Sequence, residues 1–161
     1  MKQLWAPWRM AYIDEGAKDK GCIFCTKYRQ DDLRAALVLA HTEYTVVMMN
    51  KYPYNNGHLL LAPKRHEKDP TKLPPEEYID LNEVLRRSMD IVGRALNPGG
   101  MNLGMNLGKC AGAGIEDHLH WHIVPRWEGD TNFMPVVNET RVMPQHLLDS
   151  YDRLQPYFKS I

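Results

Sequence analysis

The stretch His118-Leu-His120-Trp-His122-Ile-Val-Pro125 alternates histidines with apolar residues. Strict alternation predicts a β-strand over Leu119–Val124, because successive side chains of a strand point to opposite faces. The three imidazoles then line one face, about 7 Å apart at each step of two residues, and the intervening apolar side chains face the core. Three like ionisable groups repel one another when charged, so a purely structural role explains them poorly.

A glycine-rich segment, Asn106-Leu-Gly108-Lys-Cys-Ala-Gly112-Ala-Gly114, lies immediately upstream of the histidines. Glycine lets the backbone approach a ligand closely, and successive backbone N–H groups can form an anion-binding nest. Neutral imidazole attacks phosphorus, binds metal ions and transfers protons near neutral pH. Such a loop alone is weak evidence, because it can be nothing more than a flexible turn. Beside a row of histidines, however, it predicts a phosphate site.

The flanking chain predicts further strands. Apolar runs at Ala35–Ala40 and Tyr44–Met49 predict a hairpin. The stretch 50–57 is dense in turn-forming residues and leads into an apolar strand at His58–Pro63. A further strand is expected at Met101–Leu107.

One long helix is expected from about Pro74 to Leu96, opened by two prolines and closed by Asn97-Pro-Gly-Gly100. Its apolar residues step by three and four and draw one stripe: Tyr78, Leu81, Leu85, Met89, Val92 and Leu96. A short amphipathic helix is expected from about Pro144. Strands on both sides of a single long helix, with short connections, predict an α+β fold with a mainly antiparallel sheet.

Composition limits the class of protein. The chain has 161 residues, 43% of them hydrophobic and 25% charged, with twenty basic and twenty acidic side chains. We expect one domain: an arm with the cysteine pair over 1–32, a core over 33–128 and an extension over 129–161. Zero net charge argues against a broadly basic nucleic-acid binder. No apolar run predicts a membrane span or a secretory signal, and three cysteines fit a reducing, cytoplasmic compartment.

The histidine strand resembles the signature of the histidine triad (HIT) superfamily. The resemblance extends to Asn56-Gly57-His58-Leu-Leu-Leu-Ala-Pro63-Lys-Arg-His66, to Cys22-Ile-Phe-Cys25 and to Asn106-Leu-Gly108, in the family's order. It implies a HIT-like fold with one long helix and a short C-terminal helix. It also implies an enzyme that transfers or hydrolyses nucleotides through a nucleotidyl-histidine intermediate.

The resemblance assigns roles residue by residue. His120 would attack the α-phosphorus, His122 would support the leaving group, and His118 belongs to the same catalytic row. The expected substrate contacts are Asn50, His58, Asn106, Gly112, Ala113, Gly114 and Phe24. Asn50 would contact the ribose but is as readily a plain turn residue. Phe24 would border the base pocket, although ordinary core packing explains it as well.

Cys22 and Cys25 form a Cys-x-x-Cys pair that is a redox dithiol, half of a metal site, or two buried small residues. A tetrahedral zinc site needs two more Cys or His ligands. The resemblance supplies them, because in zinc-binding HIT proteins the corresponding ligands fall at His66 and His118. Structural zinc is therefore the expected cofactor.

The loop departs from the commonest family pattern, since Ala113-Gly114 replaces the usual Gln and Ser or Thr. Together with the Trp5-Ala-Pro-Trp8-Arg9 start and the run Gly129-Asp-Thr-Asn132, this is similar to a bacterial branch related to diadenosine tetraphosphate phosphorylases. The small loop, with Lys109 and Arg126 nearby, favours inorganic phosphate as the acceptor of the nucleotidyl group. Either cation can as readily be solvated or paired with Asp117 or Glu116.

Three other functions remain open at this stage. The chain could be a hydrolase of nucleotides or nucleoside phosphoramidates, or a nucleotide-binding module whose catalysis is vestigial. A zinc-stabilised scaffold or nucleic-acid binder is disfavoured by zero net charge and by the lack of a second cysteine pair. The resemblance further implies a homodimer that pairs through the long helix and an edge strand, which sedimentation in solution would test.

Overall fold

The computed structural model describes residues 21–130 and 145–161. Five strands form one antiparallel sheet in the order β1-β2-β3-β5-β4. The strands are β1 (Val38–His41), β2 (Thr45–Met49), β3 (Leu59–Pro63), β4 (Gly100–Met105) and β5 (Trp121–Arg126). The α-helices of the described residues are α1 (Ile23–Thr26), α2 (Pro75–Leu96) and α3 (Leu147–Phe158). The predicted α+β architecture with a mainly antiparallel sheet is confirmed.

The first hairpin begins later than the apolar pattern predicts. Asp32 accepts hydrogen bonds from the backbone N–H groups of Ala35 and Ala36, through its side chain and its carbonyl respectively. Leu37 then takes a left-handed conformation at φ 62°. These local bonds hold the start of the apolar run in a turn, so strand pairing with β2 starts only at Val38.

The pairing of β3 with β5 divides the sheet into two faces. His122 lies directly opposite Leu60, so both side chains project from the same face. That face carries a small apolar cluster: Phe24, Ala36, Val38, Val46, Met48, Leu60 and Ala62. The opposite face carries the main core, which includes Leu59, Leu61 and Ile123 together with residues of α2 and α3. The histidine row therefore lies on the face that the long helix leaves uncovered.

Helix α2 has the predicted length but a slightly rotated buried stripe. Tyr78, expected to lie on that stripe, has 48% of its surface exposed. Glu77 is buried in its place, since its carboxylate makes a bidentate ion pair with Arg65. The helix ends where predicted, at Asn97, which adopts a left-handed conformation and donates its N–H to the carbonyl of Gly93.

Helix α3 packs against α2 and β1. Its buried side chains Tyr151, Leu154 and Phe158 enter the main core, and the Tyr151 hydroxyl donates to the carbonyl of Val38. The residue at which this helix was expected to begin, Pro144, lies outside the described residues. No helix within 21–130 or 145–161 has the length and apolarity of a membrane span.

Within the described part of the arm predicted over 1–32, the chain forms α1 and a 3-10 turn at Lys27–Arg29. The expectations for Trp5, Trp8, Arg9 and Asn132 concern residues that the structure does not describe. Strand β4 pairs only with β5 within the described sheet, so its other side is the sheet's edge. The dimer expected to form through such an edge stays a prediction.

Gly57 allows the turn that delivers the chain into β3, because its φ of +71° suits glycine and an added Cβ would meet Leu96 Cδ1 in the core. We predict that Gly57→Ala lowers the free energy of unfolding by about 1–3 kcal/mol. Gly100→Ala is the matched control, since a Cβ there meets nothing within 4 Å. Urea denaturation of both variants measures the difference, and equal stability would contradict this account of Gly57.

Candidate active site and metal cluster

His58 and His122 form a hydrogen-bonded pair on the uncovered face of the sheet. His58 Nε2 lies 2.9 Å from His122 Nδ1, and the backbone N–H of Tyr54 donates to His58 Nδ1 at 3.0 Å. Since Nδ1 of His58 accepts, a neutral His58 carries its proton on Nε2 and donates it to His122 Nδ1. A neutral His122 then carries its own proton on Nε2. The chain thus presents an N–H at His122 Nε2.

That Nε2 atom is buried and has no hydrogen-bond partner among the described residues. An unsatisfied buried donor is costly, and such groups are concentrated where a ligand completes them. The unsatisfied nitrogen therefore points to a ligand acceptor beside His122.

His120 has the opposite tautomer. Its Nδ1 lies 2.8 Å from the carbonyl oxygen of His118, which can only accept, so Nδ1 carries the proton. The lone pair is left on Nε2, which is the nucleophilic position of a neutral imidazole. The ring lies between neighbours, with its centroid 4.9 Å from that of His122 and 5.0 Å from that of Phe24.

Burial keeps these imidazoles neutral. Desolvation lowers the pKa of His120, and it lowers the pKa of His122 to about 4, with a further contribution from charge repulsion by His120. A protonated imidazole has no lone pair to attack with or to accept through. At neutral pH both His120 and His122 are therefore neutral, which is the form that nucleophilic chemistry requires.

His118 completes a second cluster, with Cys22, Cys25 and His66. The ligand atoms of these four residues all lie within 4.8 Å of one another. His118 Nδ1 is 3.1 Å from Cys22 Sγ, 3.6 Å from Cys25 Sγ and 3.3 Å from His66 Nδ1. Tetrahedral zinc with bonds of about 2.3 Å to sulfur and about 2.0–2.1 Å to nitrogen separates its ligand atoms by roughly 3.3–3.8 Å. The cluster has a composition and spacing that can hold a metal ion.

The protonation of His118 also fits a metal ligand. Its Nε2 donates to the carbonyl oxygen of Pro63 at 2.7 Å, which leaves the Nδ1 lone pair facing the two cysteines. Without a cation the cluster is unfavourable for thiolates, since burial and the neighbouring Cys22 raise the pKa of Cys25 to about 11. A coordinated cation removes that penalty, because it deprotonates the thiols that bind it. The first histidine of the row therefore faces the cysteines, whereas His120 and His122 lie beside each other outside that cluster.

The other residues predicted to contact substrate surround this row. Phe24 is fully buried and packs against the rings of both His118 and His120. His58 is fully buried as well, with its ring nitrogens bonded within the protein. Asn50 is half-buried, with its amide oxygen accepting from Tyr52 N–H and its amide nitrogen 3.3 Å from His58 Nδ1. Their contacts with substrate stay predictions, and the structure adds that Asn50 contacts His58, which in turn is hydrogen-bonded to His122.

The glycine-rich loop is more self-bonded than the anion-nest interpretation assumes. Residues Lys109–Ala111 form a 3-10 turn in which the N–H groups of Gly112 and Ala113 donate to the carbonyls of Lys109 and Gly108. The Asn106 amide donates to the carbonyl of Gly112 at 3.4 Å. Phosphate binding by Gly112, Ala113, Gly114 and Asn106 stays a prediction, and it requires the amides of Gly112 and Ala113 to exchange these bonds for the ligand.

Arg126 does not offer a full positive charge to the site. Its guanidinium makes a bidentate ion pair with Asp130 at 2.7 Å and also donates to Asn102. Arg126 pairs with Asp130, four residues along the chain, rather than with Asp117 or Glu116, which the sequence offered as partners. The short turn after β5 explains this, since it returns the chain beside the end of that strand.

Tyr54 was not singled out from the sequence. Its ring lies beside both His58 and His122, with centroid distances of 4.6 Å and 5.8 Å. The only sequence signal was its place in a turn-rich stretch just before His58, and many loop tyrosines share that feature. Gly104, directly opposite His122 on β4, was also missed. A Cβ there meets nothing within 4 Å, so this strand leaves open space beside the histidine.

These features define an α+β protein in which His120 has a lone pair on Nε2, the adjacent His122 has a buried N–H, and a separate Cys/His cluster lies nearby. A family model described as "HIT domain" matches residues 34–129. The chain belongs to the HIT family, and it is a nucleotide-processing enzyme of that family.

Named relatives differ in the reaction they are named for. The chain is 32% identical over 157 residues to a protein of Mycobacterium tuberculosis named AP-4-A phosphorylase, covering 93% of this chain and 80% of that one. It is 30% identical over 105 residues to an adenosine 5'-monophosphoramidase of Schizosaccharomyces pombe, covering 65% and 74%. The fold is similar to that of a Zn-bound histidine triad family protein from Mycobacterium smegmatis, with a TM-score of 0.65 and 23% identity over 87% and 94% of the two chains.

Proposed function

We propose that the protein transfers a nucleotidyl group from a dinucleoside polyphosphate to inorganic phosphate, through a covalent adduct on His120. The observation that carries this proposal is the pair of complementary tautomers, with a lone pair on His120 Nε2 and a proton on His122 Nε2. Hydrogen bonds within the protein hold both tautomers before substrate binds, so neither ring has to exchange a proton before reacting.

In the first half-reaction, the lone pair of His120 Nε2 attacks the α-phosphorus and forms a P–N bond. The bond between this phosphorus and the bridging oxygen breaks, and its electron pair stays on the leaving oxygen. His122 Nε2–H donates a hydrogen bond to that oxygen as its negative charge develops. The proton on His120 Nδ1 remains shared with the His118 carbonyl and supports the positive character of the adducted ring.

In the second half-reaction, a phosphate oxygen attacks the same phosphorus and the P–N bond breaks. The electron pair returns to His120 Nε2, which regenerates the enzyme. With diadenosine tetraphosphate the products are ATP, released first, and ADP. Support for phosphate as acceptor comes from the relative named AP-4-A phosphorylase, which aligns with 93% of this chain.

Hydrolysis is the second candidate, with water in place of phosphate. It is favoured by the pairing of Arg126 with Asp130 and by the hydrogen bonds that the amides of Gly112 and Ala113 make within their loop. Both reduce the positive character that would attract an anionic acceptor. A relative named as a phosphoramidase is consistent with this alternative. The same His120 adduct would form in either reaction.

We further propose that Cys22, Cys25, His66 and His118 bind a structural zinc ion. The ion would connect the N-terminal segment that carries α1 to the end of β3 and to the residues before β5. It would supply folding free energy rather than a reaction step, because its four ligands leave no open coordination position. His118 would then act on His120 through its backbone carbonyl, and its catalytic role would be indirect.

We predict that His120→Gly lowers turnover by several orders of magnitude, since covalent catalysis is lost while the fold is kept. Mass spectrometry of acid-sensitive adducts in quenched wild-type protein should find AMP on His120. The exposed His41 provides the control, because His41→Ala should leave both turnover and adduct unchanged. An adduct on His118 or His122 would overturn the assignment.

The acceptor is identified with isotopically labelled phosphate. Incubation with diadenosine tetraphosphate should place the label in the β-position of ADP, with unlabelled ATP as the other product, and the reaction should stop when phosphate is omitted. Release of AMP at the same rate with and without phosphate would instead identify a hydrolase. The two outcomes are separated by chromatography of the nucleotides.

The zinc proposal predicts about one zinc ion per chain in protein purified without chelator, and a lower melting temperature after chelation. Cys22→Ser and Cys25→Ser should each reduce zinc content. Cys110→Ser is the matched control, because this exposed cysteine lies outside the cluster and its loss should leave zinc content unchanged. Metal-free wild-type protein with an unchanged melting temperature would exclude a structural zinc.

A further inference from the structure

Tyr54 is an aromatic residue at the open side of the histidine pair. It lies in the loop between β2 and β3, and half of its surface is exposed. Its ring is nearly parallel to that of His122, with an interplanar angle of 12° and a centroid distance of 5.8 Å. This is the offset-stacked arrangement that aromatic rings prefer.

The His122 ring needs a restraint of this kind. The hydrogen bond from His58 Nε2 to His122 Nδ1 holds one edge of the ring. A histidine ring has a broad rotation about its second side-chain torsion, so one bond leaves the tilt of the plane loosely defined. His120 meets the ring at a steep 58° and His58 at 42°, whereas Tyr54 lies almost flat against it. The flat contact resists the tilting that the hydrogen bond permits.

The same residue reaches the pair through its backbone. The Tyr54 N–H donates to His58 Nδ1, which is the bond that places the His58 proton on Nε2. The Tyr54 backbone thus contacts His58 and the Tyr54 ring contacts His122, and both contacts affect the position of His122 Nε2. The side-chain part of this arrangement can be removed without changing the backbone part.

We propose that Tyr54 is a positioning residue that holds the His122 imidazole so that its Nε2–H faces the leaving oxygen. This inference rests on the proposed function, in which that N–H stabilises the leaving group. Tyr54 itself does not touch the reacting atoms. Its ring sets the direction of a hydrogen bond whose value depends on how much negative charge the leaving oxygen develops.

Two synthetic substrates isolate this effect: the para-nitrophenyl and phenyl esters of AMP. Nitrophenolate is a stabilised anion and needs little help to leave, whereas phenolate is more basic and depends more on the hydrogen bond from His122. We predict that Tyr54→Ala lowers the single-turnover rate of adduct formation from the phenyl ester about tenfold more than that from the nitrophenyl ester, because the leaving group departs in this step and the second half-reaction is common to both esters. Tyr54→Phe keeps the ring and should stay within about twofold of wild type for both esters.

Matched controls separate positioning from other roles. Tyr78→Ala removes a tyrosine of similar exposure from α2, on the opposite side of the sheet. It should leave the reaction rates of both esters unchanged. His122→Ala should show the same preference for the better leaving group, to a larger degree. Melting temperatures check the fold of each variant, and Tyr54→Leu replaces Tyr54→Ala if the latter does not fold.

The outcomes are distinguishable. Equal losses for the two esters in Tyr54→Ala, or a Tyr54→Phe variant as impaired as Tyr54→Ala, overturn the positioning role. A change in KM alone also overturns it, since it shows that the ring binds substrate directly. If His122→Ala lacks the leaving-group preference, the proposed role of His122 fails. A normal His122→Ala result with no preference in Tyr54→Ala rejects the inference about Tyr54 alone.

Discussion

The antiparallel pairing of β3 with β5 is the constraint on which the site depends. It places Leu60 opposite His122, so that His58, two residues earlier on the same face of β3, comes within hydrogen-bond distance of that histidine. At the other end of β3 it brings the Pro63 carbonyl to His118 Nε2. One ladder of backbone bonds therefore orients the first and last histidines of the row.

A shift of this register by one residue would reverse every side chain of β5. His122 would then enter the main core against α2, and Ile123 would lie on the uncovered face of the sheet. The buried apolar side chains of both strands resist that slip, because Leu59, Leu61 and Ile123 all belong to the main core. The stability of the core and the geometry of the site are thus two consequences of one pairing.

The three histidines differ in chemistry although they are close in sequence. Carbonyl oxygens fix the protons of two of them, with Pro63 holding Nε2 of His118 and His118 holding Nδ1 of His120. His122 receives its proton placement from another side chain, His58. Burial lowers the pKa of His120 and His122, so the rings stay neutral and their tautomers are defined by these partners. The three rings therefore differ in what they present: His118 a lone pair toward the cysteines, His120 a lone pair on Nε2, and His122 an N–H on Nε2.

The alternation of residues 118–124 predicted a strand over Leu119–Val124, but the observed strand β5 is Trp121–Arg126, so His122 alone of the three histidines lies on it. The predicted division into faces is confirmed within β5, because His122 projects with Leu60 and Ile123 enters the main core. The three-and-four spacing of apolar residues predicted the long helix, and the family resemblance, rather than periodicity, implied the four-residue Cys/His set. Neither could identify the Arg126–Asp130 pair, the self-bonded loop at Gly112 and Ala113, or the stacking of Tyr54 on His122. Those depend on how turns return the chain in space, and hydrophobic periodicity carries no information about turn geometry. The tautomers of the histidines likewise depend on the tertiary structure, because each is set by the acceptor or donor that the folded chain brings to the ring.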